Sequence, residues 1–410
     1  MRFLYLCHRI PYPPNKGDKI RAFHQLRALG ERHDVDLFTL ADDPSDAEHG
    51  AALERYCRQV TVAELNPVWS RLRSLPYLLT ERPLTTPYFY SAQLQAAIRE
   101  ALAGRSYDRI FVYCSAMAQY VERVDGIPVI TDLVDLDSDK WTQYAGFTPF
   151  PWSAVYRREG KRLREYERSV CARSWRVVVT TEREAALARQ VAGHDCVHVI
   201  ANGVDTEYFA PADNRPDAAR PTVTFTGDMS YFPNETAVIF FGRKVFPIVR
   251  QAVPGARFLI VGRKPGERVR QLEEAGGIEV TGFVPDVRAY LAQTHVAVAP
   301  FSIAAGIQNK ILESMASGLP VVATSRTVRG LSPEVAGMVA TADEPADIAA
   351  AVVALLRDPE AARRKGLEGR ARVAAVYDWD YWLDKLVELV ESPVGEPVAA
   401  AAGASCGDQA

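Results

Sequence analysis

Apolar positions along the chain fall into short runs separated by amphipathic stretches, and the alternation is laid out twice. Residues 2–7, 35–40, 60–63, 109–114, 128–133, 177–180 and 197–200 read as strands. Helical spacing appears at 20–30, 47–58, 153–176 and 182–191. A polar, proline-rich stretch at 210–221 interrupts the pattern and reads as a linker. The alternation then restarts, with strands at 223–226, 256–261, 278–281, 296–299 and 321–323. Helices fall between them at 235–246, 267–275, 287–293 and 307–315, and further on at 346–356 and 359–376. Strand–helix alternation of this kind predicts an α/β class built on two parallel, Rossmann-like sheets. One region departs from it. Pro67, Pro76, Pro83 and Pro87, with Tyr77, Tyr88, Phe89 and Tyr90, predict a long aromatic loop.

Composition narrows the function classes. A chain of 410 residues is long enough for two domains, and 48% apolar with 24% charged residues is that of a globular protein. A net charge of −3 argues against nucleic acid as a partner for the whole surface. The six cysteines (7, 57, 114, 171, 196 and 406) show no metal-binding spacing and sit largely in apolar runs, as reduced buried thiols do. The N-terminal apolar run is too short for a signal peptide, and no run approaches the roughly 20 residues of a spanning helix. The expected setting is cytoplasmic.

The chemistry concentrates in 304–324, AAGIQNKILESMASGLPVVAT. Small residues lead into a helix whose apolar positions are Ile307, Ile311, Leu312 and Met315, stopped by Gly318 and Pro320 ahead of a strand. A helix start behind a glycine loop presents free N–H groups to an anion. Lys310 adds a full charge, and Glu313 lies one turn on, placed to accept from sugar hydroxyls. A nucleotide sugar fits this layout; so does an ordinary amphipathic helix with an i,i+3 Lys–Glu pair.

This segment resembles the nucleotide-binding signature of retaining glycosyltransferases of the GT-B fold, glycosyltransferase family four. Glu313 matches the second Glu of the family's Glu-x7-Glu pattern, and SGLPVVAT matches its continuation. The first Glu is replaced by Ala305, but Gly306, Lys310 and Glu313 fit a branch with Gly-x-x-x-Lys-x-x-Glu. Asn202-Gly203-Val204-Asp205 followed by Phe209 is a second family match. Similarity extends over 1–391 and is nearest the sugar transferases found with exosortase and exopolysaccharide systems.

The resemblance implies a GT-B fold with two Rossmann-like domains facing across a cleft. Their bounds are an acceptor domain at 1–209, a linker at 210–221 and a donor domain at 222–376. A helix at 377–391 returns to the first domain, and a disordered tail follows at 392–410. It implies transfer of a sugar from a nucleotide-diphosphate donor to a glycan or lipid-linked acceptor, without cofactor, metal or dedicated base. Gly306, Ile307, Gln308, Asn309, Lys310 and Glu313 would hold the donor, and Lys310 would neutralise the leaving diphosphate. Gly17, in a loop with Lys16, Asp18, Lys19 and Arg21, would meet donor or acceptor phosphate. Gly227 lies after the donor domain's first strand, where the family carries an Arg; Arg263, beside Lys264 on the next loop, is the substitute. Phe283 and Val284 occupy the nucleobase position.

For Asp135, Asp137 and Asp139, an EF-hand fails because Lys140 stands at its sixth position. A metal site of the Asp-x-Asp kind belongs to another fold. The remaining reading is an active-site edge loop that places Asp135 at the donor sugar, where family members carry a His. The helix carrying Arg157 to Arg176 is either a solvated face or a contact to anionic lipid. Two rivals stand beside catalysis: a nucleotide-sugar epimerase of similar architecture, and a donor-binding subunit without activity.

Overall fold

The structure, a computed structural model, describes residues 1–394 apart from 44, 45, 47, 194, 195, 213–216, 218 and 305. The tail beyond 394, with Cys406, and part of the 210–221 linker lie outside the described residues. Two sheets, parallel throughout, carry the alternation. The first holds β1 (Arg2–Cys7), β2 (Asp34–Ala41), β3 (Gln59–Glu64), β4 (Arg109–Tyr113), β5 (Val129–Val134), β6 (Arg176–Val179) and β7 (Val197–Val199), in the order 3-2-1-4-5-6-7. The second holds β8 (Thr222–Thr226), β9 (Arg257–Val261), β10 (Ile278–Gly282), β11 (Val296–Ala299), β12 (Val321–Ala323) and β13 (Ala340–Thr341), in the order 10-9-8-11-12-13. Central strands such as FLYLC and VAVA are apolar throughout because helices cover both faces. In each sheet the order reverses beside the first strand, at β1/β4 and β8/β11, which opens a crevice at the carboxyl ends of the strands.

The C-terminal helix, Trp379–Glu391, leaves the second domain and docks on the first. Trp379, Leu383, Leu386, Val387, Leu389 and Val390 are buried among Phe3, Tyr5 and Leu26. Trp379 stacks on His24 with ring centroids 4.3 Å apart. Just before it, Val204 N–H donates to the Tyr377 carbonyl at 2.8 Å, and Val204 bridges to Asp378. The two passages of chain between the domains therefore run side by side.

Five sequence expectations need correcting. The stretch 67–90 is not a long loop: it forms helices Pro67–Ser74 and Thr85–Tyr88 with a 3-10 turn, Leu75–Leu79, between them. Pro67 and Pro76 stand in first turns, where a missing N–H leaves no bond unmade, and Asn66 caps the first helix. The acidic stretch after β5 is the helix Asp137–Phe147, with Asp137 and Asp139 in its first turn, where the helix dipole favours them. The basic helix is Trp152–Arg173, and Arg176 instead begins β6. The expected helix 235–246 begins at Phe232, passes through a π turn (Phe241–Val245) and resumes as Phe246–Ala252, with Pro247 removing a backbone donor at the break. The 47–58 segment forms only a 3-10 stretch, Glu48–Leu53, with Ala47 outside the described residues.

Leu386 is fully buried in the returning helix. Leu386→Ala is expected to lower the unfolding free energy by about 2 to 5 kcal/mol. Denaturant titration followed by far-UV circular dichroism would measure it; a loss below about 1 kcal/mol would show that the helix is not integral to the first domain's core.

Candidate active site

The carboxyl ends of the two sheets face each other, and the backbone is strained along this edge. Among the described residues three other than glycine have positive φ: Cys114 (70°) after β4, Val134 (64°) at the end of β5 and Lys264 (55°) after β9. Such conformations are costly for side chains with a Cβ and gather at functional edges. At Val134 the register with β6 shifts, and the Asp132 carboxylate accepts from Val134 N–H at 2.8 Å. Asp135 accepts from the Thr180 hydroxyl at 2.9 Å and lies against Gly306 of the second domain. A Cβ on Gly306 would come within 2.0 Å of Asp135 Oδ1, and Gly306 itself has φ +55°, so only glycine permits this approach. Burial holds the Asp135 carboxyl above its ordinary range.

The opposite wall is built around the helix Asn309–Ala316, whose N-cap residue, Gln308, supplies no side-chain cap. Lys310 Nζ donates to Asn234 Oδ1 at 2.6 Å and lies 4.4 Å and 4.8 Å from the ring centres of Phe225 and Phe301. Gly227 gives it room: a Cβ there would come within 2.8 Å of Lys310 Nζ. Burial pushes Lys310 down to about 7 and Glu313 up to about 7, against their mutual attraction. The Glu313 carboxylate makes no hydrogen bond to a described residue and keeps part of its surface open.

Side chains stitch the two walls together. Arg21 and Asp132, both buried, pair at 2.8 Å. Arg21 also donates to Asn202 Oδ1 at 3.0 Å, and Asn202 Nδ2 donates to Asn309 Oδ1 at 3.0 Å. Gln25 donates to Asp132 at 2.5 Å. Gly17, the first residue of helix Gly17–Gly30, abuts the Asn309 amide. Asn202 and Asn234 were not singled out by sequence as side chains acting here, and Arg21 was expected at phosphate rather than in this network. The available signal was Arg21 and Gln25, polar residues four apart on the face their helix buries.

The remaining sites divide. Lys19 and Arg21, expected to meet phosphate, instead pair with Asp46 (2.7 Å) and Asp132, while Asp18 pairs with Arg9 (2.7 Å). Lys16 does face the cleft; burial, Arg263 and Arg9 together lower its pKa. Arg263 Nε donates to Asp228 Oδ2 at 2.8 Å, which draws it from the β9 loop to the β8 loop, and its buried Nη2 has no partner. Phe283 stands exposed at the end of β10, with Val284 half-buried beside it. Ile307 is buried, and Gln308 precedes the helix start. The three aspartates after β5 diverge: Asp135 to Thr180, Asp137 to Lys140 (2.9 Å) and Asp139 to Arg183 (2.9 Å). Among the described residues no cluster of three or more His, Cys, Asp or Glu side chains could hold a metal ion. No described helix is long and apolar enough to cross a membrane.

With this geometry in place, two family models divide the chain between them. The model for Glycosyltransferase Family 4 matches residues 19–208, and that for Glycosyl transferases group 1 matches 220–358. The chain belongs to the family 4 glycosyltransferases. This family 4 chain is 31% identical over 274 residues to a D-inositol 3-phosphate glycosyltransferase of Nocardia farcinica, covering 59% of the chain and 58% of the relative. It is 29% identical over 222 residues to an alpha-maltose-1-phosphate synthase of Mycolicibacterium smegmatis, covering 48% and 56%. The chain thus spans little more than half the length of these relatives. In fold it matches a sucrose-phosphate synthase from Thermosynechococcus elongatus with TM-score 0.73 at 19% identity, over 95% of this chain and 98% of that one. It also matches Anabaena HepE, solved with UDP and glucose, with TM-score 0.68 at 16% identity, over 96% and 100%. The architecture is GT-B.

The Lys310–Glu313 pair sets a pH dependence. Folded Glu313 keeps a proton that the unfolded chain releases near 4.5, so stability falls as pH rises from about 4.5 to about 7. Lys310 does the reverse: the unfolded chain keeps its proton up to about 10.5, and stability recovers above about 7. Unfolding free energy measured against pH should pass through a shallow minimum near 7, absent from Lys310→Met/Glu313→Gln. Parallel profiles for the two proteins would refute the buried pair.

Proposed function

We propose that the chain is a retaining glycosyltransferase, moving a hexosyl group from a nucleotide-diphosphate sugar to a glycan or lipid-linked acceptor. The observation that carries this is the junction of the Asn309–Ala316 helix start, Lys310 and an unengaged Glu313 against Asp135 of the other domain. The diphosphate sits at the helix start with Lys310 beside it, which supplies positive charge where the leaving group gains negative charge. A bound diphosphate also gives Lys310 the counter-charge it lacks and restores its protonated form. Glu313 accepts from the ribose hydroxyls, and Phe283 and Val284 border the nucleobase. Arg263, with its unpartnered Nη2, and Lys16 reach the phosphates from opposite walls. Asp135, held above its usual range by burial, faces the transferred sugar.

In this reading residues 1–209 bind the acceptor, 222–376 bind the donor, and closure of the domains excludes water. The reaction needs no metal and no dedicated base, as the family resemblance implies. Synthesis of a bacterial exopolysaccharide or surface glycan, beside an exosortase system, is the setting that resemblance favours. Contact with the inner face of the cytoplasmic membrane falls to the outer stripe of the basic helix. Arg158, Arg162 and Arg168 are engaged by the Tyr77 carbonyl, Glu81 and the Val191 carbonyl, which leaves Arg157, Lys161 and Arg164 exposed at i, i+4 and i+7. A donor-binding subunit without activity is the second reading, favoured by Ala305 in place of the family's first Glu.

Calorimetric titration with UDP-, GDP- and ADP-sugars tests the site. One nucleotide series should bind the wild type, and Glu313→Ala should weaken it at least tenfold. Equal binding by the variant would displace the donor from this helix, and binding without turnover on any acceptor would favour the silent subunit.

A further inference from the structure

A cavity of about 190 Å³ lies between the domains, lined among others by Gly306, Asp139, Arg183, Arg326 and Arg329. That is below the roughly 300 Å³ from which pockets take a whole drug-sized ligand, and suits a monosaccharide-sized part of one. Its position follows from strand order. Gly227 follows β8, the Gly306 loop follows β11, and the Arg326–Arg329 turn follows β12, so the three lie side by side along one sheet edge. A Cβ on Gly330 would come within 2.1 Å of the Gly306 carbonyl, so the arginine turn is packed against the Gly306 loop. On the donor placement proposed above, on which this inference rests, base and diphosphate occupy the β10-to-β11 stretch. The cavity one strand further along then receives the sugar.

The charge lining that cavity is unbalanced. Arg183 is neutralised by Asp139 at 2.9 Å and Glu184 at 2.6 Å. The guanidinium groups of Arg326 and Arg329, three residues apart on one turn, make no hydrogen bond or ion pair with any described residue. Guanidinium groups donate and never accept, so they can use only the acceptor side of a neutral sugar's hydroxyls, whereas an acceptor-only carboxylate offers them a charge-assisted, bidentate match. Asp139, the cavity's carboxylate among its lining residues, is already engaged. We propose that the donor is a nucleotide-diphosphate uronate, its sugar carboxylate held by Arg326 and Arg329 in the cavity beside Gly306 and Asp135.

Both arginines are exposed, so Arg326→Gln/Arg329→Gln should fold as the wild type does, which circular dichroism checks. The full chain would be titrated with UDP, UDP-glucose and UDP-glucuronate, and with GDP, GDP-mannose and GDP-mannuronate. The expected result is one uronate binding at least tenfold more tightly than its neutral counterpart. That preference should vanish in the double variant while affinity for the bare nucleotide stays unchanged. No preference in the wild type, or a preference surviving in the variant, overturns the proposal. If the wild type ignores the uronate while inorganic phosphate competes with turnover in it but not in the variant, the arginines serve a phosphorylated acceptor, and the donor assignment falls. If no UDP or GDP compound binds at all, the failure is that of the donor site itself.

Discussion

The buried pair between Arg21 and Asp132 is the interaction on which the cleft depends. Two charges removed from water are tolerable only when they pair closely and hydrogen bonds engage much of their remaining capacity. Asp132 answers this by taking Gln25 and its own chain's Val134 N–H in addition to Arg21, and Arg21 by taking Asn202. The geometry is consequently rigid where it matters. Asn202 is oriented to reach Asn309 at the start of the opposite helix, and the turn at Val134 presents Asp135 to Gly306. A polar network in the first domain thereby sets the position of a helix start in the second.

Within that frame, the ionisable groups at the cleft are left unsatisfied in a graded way. Arg263 is tethered by Asp228 but keeps one buried nitrogen unpaired. Lys310 has an amide and two aromatic faces but no adjacent carboxylate close enough to overcome burial. Glu313 carries the complementary deficit. Such a site is uncomfortable when empty and relieved by a ligand bearing both an anion and hydroxyl donors, which is how local instability becomes affinity.

Much of the architecture could be read from the chain because its strands are buried on both faces. Runs such as VAVA at 296–299 and VVA at 321–323 admit little else once flanked by helical periods. The Lys310–Glu313 spacing was likewise visible, being local. What was not legible depends on distance or on reading breakers too simply. Prolines 67 and 76 look like loop residues but open helices, and the aspartates after β5 look like a ligand loop but occupy a helix's first turn. The Arg21–Asn202 contact spans 181 positions and leaves no local trace beyond a polar residue on a buried face. Arg263 reaches its place only because Asp228, on the loop after a neighbouring strand, draws it there.

The paired passages of chain at Val204 and Tyr377–Asp378 have a mechanical meaning. The domains are connected twice, and the two connections are hydrogen-bonded to each other rather than set apart. Bodies joined along one narrow seam can swing about it like the covers of a book, but cannot slide or draw apart in parallel. Opening therefore separates groups in proportion to their distance from that seam. Asn202, two residues from the bridge, would move least, while Tyr144 and Tyr231, whose hydroxyls meet at 3.2 Å across the gap, form a contact that any such swing has to break. The same covalent path that carries the C-terminal helix home thus forms the spine about which the two domains can turn.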